Sequence, residues 1–446
     1  MADAAAHPFD VSLRAVFGIA VPMSLAHLST PLIGLVDMAV IGQGGTAAVI
    51  GAVALGALLF NIIGGGLNFL RMSTTAWVAQ ALGADNANEI RLTLWRALSL
   101  AAVFGALVLI FIQPILWAFL TIMGASAAVA DPLREYTVAR AWGTPLHLAN
   151  YAILGWMLGL GQAKLALALQ TILAVTNIVL SVAFVYGFGW GIAGVAWASN
   201  AGDVVMLGGG VMVMARARVL RPPPWRQLVE RAAVIRVMSV NADLMLRSLI
   251  LIAAFAFFNA ASARGGDLVL AANAIIFNVF SLSTYLLDGL ATAAEALGGR
   301  ALGAQRREAF DKTVRLTLLV GTALSLTVTV LWLATGEPFV AFMTTADDVR
   351  AMAITYLPWA ALTALTGMIA FVMDGFYIGA AWTRTMRNMM IISLIVFMAT
   401  WWVGRELFGN HGLWLALNLW LLARGVTLWV LLPRMSSAAF GGRQVR

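Results

Sequence analysis

Residues 94–119 read LWRALSLAAVFGALVLIFIQPILWAF, an apolar run that contains a single charged side chain, Arg96. An α-helix rises about 1.5 Å per residue, so a run of this length can cross a hydrocarbon core about 30 Å thick. A helix also satisfies its own backbone hydrogen bonds where no water is present. The run therefore predicts a transmembrane helix.

Similar runs recur at nearly even spacing along the whole chain. Of the 446 residues, 61% are apolar and only 11% are charged, whereas soluble domains carry about a quarter of charged residues. The mean hydropathy is +0.90. These values predict an all-α, polytopic membrane protein with 12 transmembrane helices. The predicted spans are 15–39, 47–71, 94–119, 137–160, 165–187, 192–214, 237–260, 269–294, 315–336, 352–374, 387–404 and 412–433.

Charge in the connections orients the predicted bundle. Most of the 28 lysines and arginines lie in the termini and the even-numbered connections, whereas odd-numbered connections place acids such as Asp131 beside few arginines. Cytoplasmic loops carry the excess of basic residues. We therefore expect a multi-pass protein of the inner (cytoplasmic) membrane with both termini in the cytoplasm. The net charge of +8 follows from this topology, and we expect no nucleic-acid partner because no aromatic-interleaved basic face is present.

The longest connection, 215–236, contains three consecutive prolines and divides the chain nearly in half. It predicts a cytoplasmic linker between an N-terminal lobe of six helices, residues 1–214, and a C-terminal lobe of six helices with a short tail, residues 237–446.

Short motifs repeat on either side of this linker at an offset of roughly 220 residues. QALGA at 80–84 recurs as RALGA at 300–304, and the Gly155/Gly159 pair recurs as Gly375/Gly379. Because each half has an even number of spans, the repeats must have parallel topology. They predict pseudo-twofold symmetry about an axis along the membrane normal.

Four separated stretches carry a resemblance to a known family. They are LVDMAVIG at 35–42, FLRMSTT with AQALGA between 69 and 84, LDGLATAAEAL at 287–297, and DGFYIG at 374–379. Together they resemble the multidrug and toxic compound extrusion (MATE) family, and most closely its DNA-damage-inducible F (DinF) branch. The resemblance implies two six-helix lobes and export of organic, often cationic or amphipathic compounds against a proton or sodium gradient.

Asp37 is the sharpest candidate for ion coupling. An ionised carboxylate in the apolar first helix costs several kcal/mol unless it is protonated, paired or hydrated, and this penalty favours the protonated form that a proton carrier needs. The alternative is a pore-lining acid near a helix end. Pro22, Pro31 and Gly34 interrupt the same helix and predict a bend that protonation could control.

The resemblance also implies a polar cluster that faces Asp37 from spans 4 to 6. The family's fifth helix usually reads Asn-x-x-x-Asp, and here the matching stretch holds Asn177 and Ser181. Because a serine replaces the second acid, a two-acid sodium site is disfavoured and a proton is the favoured coupling ion. Asn150 and Ser199 are further candidates for the cluster, with simple helix-helix hydrogen bonds as the alternative.

In the C-terminal lobe, charged residues within the spans predict a buried network with a structural or gating role, since isolated charges in lipid are costly. The candidate members are Arg247, Asp288, Glu295 and Asp374.

These observations favour a proton-coupled antiporter that exports organic compounds by alternating access. The alternatives are a sodium-coupled exporter and a flippase of a lipid-linked precursor, which would need a strongly cationic cavity. We expect no enzymatic activity, catalytic residue, cofactor or metal site, since no catalytic or metal-ligand motif is present. The expected partners are a small organic substrate, a coupling proton or sodium ion, and membrane lipid, and we expect a monomer.

Overall fold

The regular structure is helical throughout the part of the chain that the computed structural model describes, residues 11–43 and 46–441. Fifteen α-helices and one turn of π-helix, Ala183–Gly187, follow one another there without a strand. The helices are α1 Leu13–Gly42, α2 Ala47–Leu67, α3 Phe69–Gly83, α4 Ala87–Met123, α5 Ala127–Ala141, α6 Thr144–Gly159, α7 Ala163–Val182, α8 Gly191–Arg216, α9 Trp225–Leu228, α10 Arg231–Arg264, α11 Asp267–Gly303, α12 Arg307–Met343, α13 Asp347–Gly379, α14 Thr383–Phe408 and α15 Asn410–Gly441.

Eleven helical segments within the described residues are long and apolar enough to cross a membrane. The predicted span 137–160 is the exception, because it corresponds to α5 and α6, of 15 and 16 residues. The helix is interrupted between them at Trp142 and Gly143. Pro145 follows at once, and it has no N–H with which to continue the hydrogen bonding of α5.

Two compact units make up the chain. One consists of Met1–Ser24, Ala79–Asp85 and Ala242–Arg446, and the other of Leu25–Val78 and Asn86–Asn241. We call the first the C-terminal unit and the second the N-terminal unit. The predicted lobes 1–214 and 237–446 and the linker 215–236 stay a prediction for the whole chain, and residues 1–10 and 442–446, which include both termini, lie outside the described residues.

Each unit has its own apolar core. In the C-terminal unit, aromatic side chains from α10, α11 and α15 interlock around Phe258, whose ring meets that of Trp414 edge to face at 5.0 Å between centroids. In the N-terminal unit, α2, α5 and α8 pack around Val53, Tyr136 and Val195. This second core fixes α5 against α8, and the candidate site draws residues from both helices.

The repeated glycines mark the closest helix contacts, and the contacts themselves repeat. A Cβ atom on Gly155 would overlap the carbonyl oxygen of Arg71, and one on Gly375 would overlap the carbonyl oxygen of Ala291. Arg71 and Ala291 are separated by the same offset as the two glycines. The second glycine of each pair, Gly159 or Gly379, likewise lies against a carbonyl one turn further along the same neighbouring helix. The sequence repeat is therefore a repeat of backbone packing.

The QALGA and RALGA motifs meet each other within the C-terminal unit. A Cβ on Gly83 would overlap the carbonyl oxygen of Arg300, and a Cβ on Gly303 would overlap the carbonyl oxygen of Gln80. The side chain of Gln80 also donates a hydrogen bond to the carbonyl oxygen of Gly379 at 2.7 Å. This reciprocal pattern, in which each copy contacts the other in the same way, is typical of a local twofold axis.

We expect Gly375→Ala to lower the free energy of unfolding by about 1–3 kcal/mol, because the added methyl group must displace the backbone of α11. Thermal unfolding of the purified protein in detergent measures the effect. Gly208→Ala is the matched control, since a Cβ at Gly208 meets nothing within 4 Å. Equal melting temperatures for the two variants would contradict the close-packing interpretation.

Candidate functional site

The carboxylate of Asp37 is buried in the N-terminal unit, with 6% of the residue exposed. Its Oδ1 accepts a hydrogen bond of 2.8 Å from the hydroxyl of Ser181, which is fully buried on α7. One turn beyond Asp37, the hydroxyl of Tyr186 donates to the carbonyl oxygen of Val40 at 2.6 Å and ties α1 to the π-turn. No ion pair involves Asp37 within the described residues, so a neutral hydroxyl is its close partner.

A second polar pair lies one helical turn earlier on α7. The side-chain amide of Asn177 donates to the hydroxyl of Ser199 on α8 at 2.9 Å. The Oδ1 atom of Asn177 is buried and accepts no hydrogen bond from any described residue. Because residues four apart share a helix face, the pairs Asp37–Ser181 and Asn177–Ser199 line successive turns of one face of α7.

Asn150, the fifth residue expected in this cluster, lies instead beside a different acid. Its side-chain amide donates to the backbone oxygen of Asp203 at 3.0 Å and to the Oδ1 atom of Asp203 at 3.3 Å. Asn150 therefore belongs to a cluster around Asp203 on α8, which we call the Asp203 cluster.

The Asp203 carboxylate is held by two further side chains from the fourth predicted span. A guanidinium nitrogen of Arg140 lies 3.1 Å from Oδ2 of Asp203, and Nδ1 of His147 lies 3.0 Å from Oδ1. The Asp203 side chain is only 1% exposed. Burial of a carboxylate is tolerated when a cation and hydrogen-bond donors compensate the lost hydration. Asp203 is therefore held by groups that favour its ionised form.

The break between α5 and α6 makes room for this cluster. A Cβ on Gly143 would overlap the Oδ1 atom of Asn200, which accepts a hydrogen bond of 2.8 Å from Arg140. Asn200 in turn donates to the carbonyl oxygen of Ala139 at 2.8 Å, and Arg140 lies 5.6 Å from the ring centroid of Phe60. Arg140 is thus fixed on several sides, and it also interacts electrostatically with Asp37 without forming an ion pair.

In the C-terminal unit, Asp374 on α13 is the centre of a buried ion-pair cluster. Its Oδ2 atom lies 2.5 Å from a guanidinium nitrogen of Arg247 and 3.3 Å from one of Arg424. The three side chains are 3–9% exposed. Two of the four predicted members of the network are brought together here, and Arg424 on α15 joins them.

The other two predicted members lie on α11. Asp288 is half-buried and interacts electrostatically with Arg424, and Glu295 is buried two turns further along the helix. A separate ion pair, which the sequence did not indicate, joins Asp243 on α10 to Arg387 on α14 at 2.6 Å.

The residues predicted to bend the first helix all lie within α1. The helix runs without interruption from Leu13 to Gly42 through both Pro22 and Pro31. Since proline lacks an N–H, each removes one hydrogen bond from the helix interior. A Cβ on Gly34 would meet nothing within 4 Å, so packing does not require a glycine there, and a role in bending is still a prediction.

Comparison with known proteins agrees with these features. The MatE family model matches residues 22–183 and again residues 244–403. The chain is 34% identical over 417 residues to the DNA damage-inducible protein F of Escherichia coli (strain K12), covering 93% of this chain and 91% of that protein. It is 24% identical over 450 residues to the probable multidrug resistance protein NorM of Chromobacterium violaceum, covering 95% of this chain and 94% of that protein.

A solved structure shows the same fold. The Vibrio cholerae MATE transporter VcmN in the bent form superposes with a TM-score of 0.87 at 19% identity, covering 96% of this chain and 98% of that chain. The chain belongs to the MatE family of membrane transporters. The predicted family and the predicted all-α polytopic fold are confirmed, and the protein is a multi-pass membrane transporter, not an enzyme.

We expect Arg140→Gln to destabilise the protein by about 3–5 kcal/mol, because it leaves the buried Asp203 carboxylate without its permanent cation. The double variant Arg140→Gln/Asp203→Asn should recover part of this loss, since the uncompensated charge is then absent. A double-mutant cycle on thermal unfolding measures the coupling between the two residues. Strictly additive effects of the two changes would show that the ion pair does not contribute.

Proposed function

We propose that the protein exports organic, often cationic or amphipathic compounds by alternating access, in exchange for protons that bind and leave Asp37. Membership of the MatE family and the likeness to a probable multidrug resistance protein support the transport part of this proposal. The likeness to a bacterial protein supports a location in the inner membrane. We propose that the transporter works as a monomer with both termini in the cytoplasm.

The observation that carries the choice of Asp37 is the chemistry of its partner. The Ser181 hydroxyl can donate a hydrogen bond to an ionised carboxylate and can accept one from a protonated carboxyl group. Protonation of Asp37 therefore requires only a rotation of the hydroxyl. The exchange leaves no buried cation without its counter-ion, so both protonation states are accessible at moderate cost.

Two other buried acids, Asp203 and Asp374, lack this property. Protonation of Asp203 would leave Arg140 without its counter-charge, and protonation of Asp374 would leave Arg247 and Arg424 in the same position. A buried unpaired charge costs several kcal/mol. We assign these two acids structural or gating roles and the exchangeable proton to Asp37.

Sodium is a second candidate for the coupling ion, and one feature favours it. The buried Oδ1 atom of Asn177 accepts no hydrogen bond within the described residues, and an amide oxygen is a suitable ligand for a hard cation. However, with Ser181 in place of a second acid, Asp37 is the one carboxylate found in contact with this face of α7 among the described residues. A monovalent ion would then be held mostly by neutral oxygens.

A flippase of a lipid-linked precursor gains no support from the charges of the C-terminal unit. Such a function needs cationic groups that are available to a pyrophosphate. Both Arg247 and Arg424 are instead engaged by Asp374.

We expect Asp37→Asn to abolish gradient-driven efflux, because an amide cannot carry the proton, while membrane insertion is preserved by the equal size of the side chain. Substrate uptake into inverted membrane vesicles, energised by a pH gradient, measures the effect. Asp131→Asn, at an exposed acid, is the control and should transport normally. Full activity of the Asp37→Asn variant would remove the coupling role.

The coupling ion is tested with purified protein in sodium-free proteoliposomes. We expect an imposed pH gradient to drive transport there, with less than a twofold change when an equal sodium gradient is added. The physical reason is that the Asp37 carboxylate can bind and release one proton, whereas the Ser181 hydroxyl supplies no second negative charge to hold a sodium ion. Transport that requires sodium and ignores the pH gradient would establish the sodium-coupled alternative.

A further inference from the structure

The linker between the two repeats is fastened to α4 by two side chains. Arg96 donates hydrogen bonds to the backbone oxygens of Gln227 at 2.9 Å and Leu228 at 3.4 Å, the last carbonyls of the short helix α9. The same guanidinium group pairs with Glu89 at 2.9 Å and is only 7% exposed. Near the start of the linker, the indole N–H of Trp95 donates to a backbone oxygen at 3.0 Å. The linker is therefore a docked structure.

Docking of the linker leaves a groove of about 150 Å³ between α9, α4 and the first turns of α10. Apolar side chains line it, and several are exposed to an extent unusual for a protein in water: Val103 55%, Trp225 69%, Val229 46%, Val234 37% and Met238 39%. Contiguous exposed apolar surface marks a binding site or contact with a membrane. Since α4 and α10 both cross the membrane, lipid is the medium that reaches this groove.

The groove changes from polar to apolar with depth. On α4, Arg96 and Ser99 precede Val103 along one face, and on α10 Arg231 precedes Val234 and Met238 along one face. α10 starts within the linker and α4 contacts the linker through Trp95 and Arg96, so charge lies at the linker end and apolar surface lies deeper. A phospholipid likewise changes from a polar head group to apolar acyl chains.

The charge around the groove selects the head group. Six arginines within residues 215–236 are exposed, and Glu230 is the single acid of that segment. None of the six forms an ion pair with a described residue. A cluster of this size beside a transmembrane helix attracts anionic lipid head groups. The arginines are Arg216, Arg218, Arg221, Arg226, Arg231 and Arg236.

We propose that this groove is a binding site for an anionic phospholipid, whose phosphate lies between Arg226 and Arg231 and whose acyl chain lies along Val103, Val234 and Met238. Guanidinium groups suit a phosphate because they donate two hydrogen bonds in a fixed geometry. A bound lipid would cover the exposed apolar side chains and neutralise part of the linker charge. The proposal does not depend on which ion or substrate the protein transports.

The test is native mass spectrometry of the full chain in detergent, with phosphatidylglycerol or phosphatidylethanolamine of identical acyl chains added. We expect one phosphatidylglycerol to be retained in preference to phosphatidylethanolamine. The double variant Arg226→Gln/Arg231→Gln should weaken phosphatidylglycerol binding by roughly 30-fold. The double variant Arg216→Gln/Arg218→Gln removes the same charge from the other end of the same segment and should change binding by less than about threefold.

Two further measurements locate the lipid. Val234→Trp fills the groove without a change of charge and should reduce retention of phosphatidylglycerol. In the unmodified protein, phosphatidylglycerol with a photoreactive acyl chain should label peptides that contain residues 96–103 or 229–238. Equal retention of the two lipids, equal loss in the two double variants, or labelling confined to other helices would overturn the proposal.

Discussion

Hydrocarbon penalises every unpaired charge, and the arrangement of the buried acids follows from that constraint. Asp374 is held by two guanidinium groups, and Asp203 is held by Arg140 together with His147 and an amide. The carboxylate of Asp37 has a neutral partner instead, the hydroxyl of Ser181. The first two solutions stabilise the charge permanently, whereas the third stabilises both protonation states. In the proposed mechanism, the identity of one neighbouring side chain therefore decides which acid exchanges a proton and which acids keep a fixed charge.

The two repeats share a backbone framework and differ in chemistry. The glycine pairs bring equivalent helices into close backbone contact at equivalent positions in both halves. At the repeat offset of roughly 220 residues, however, the position equivalent to Asp374 is Leu154, and the positions equivalent to Asp37 are apolar. Close backbone packing tolerates no side chain at the glycines, so those positions are constrained in both copies. Positions that face the polar clusters carry no such constraint, and one half holds a carboxylate with a neutral partner there.

The sequence predicted the membrane-spanning helices better than the ion-pair partners of the buried side chains. Hydropathy places all the long spans, because lipid acts on each segment separately. Asp37, Ser181, Asn177 and Ser199, which the family motifs singled out, meet along one face of α7. The role of Arg140 was missed because its counter-ion, Asp203, lies on another helix far along the chain. Arg424 was missed for a related reason, since its counter-ion lies 50 residues away in the chain. Such pairs are defined by tertiary contacts that no local pattern records.

Two kinds of arginine account for the basic character of the chain, and their surroundings separate them. Arg96, the single charge in the apolar run 94–119, is buried and offsets its desolvation through Glu89 and two backbone oxygens of the linker. The linker arginines are exposed and form no ion pair with a described residue. A buried arginine with three acceptors fixes local structure and is insensitive to its medium, whereas an exposed one acts on whatever anion comes near. The arginines that are predicted to orient the protein in the membrane are therefore also the ones exposed to anions at the membrane surface.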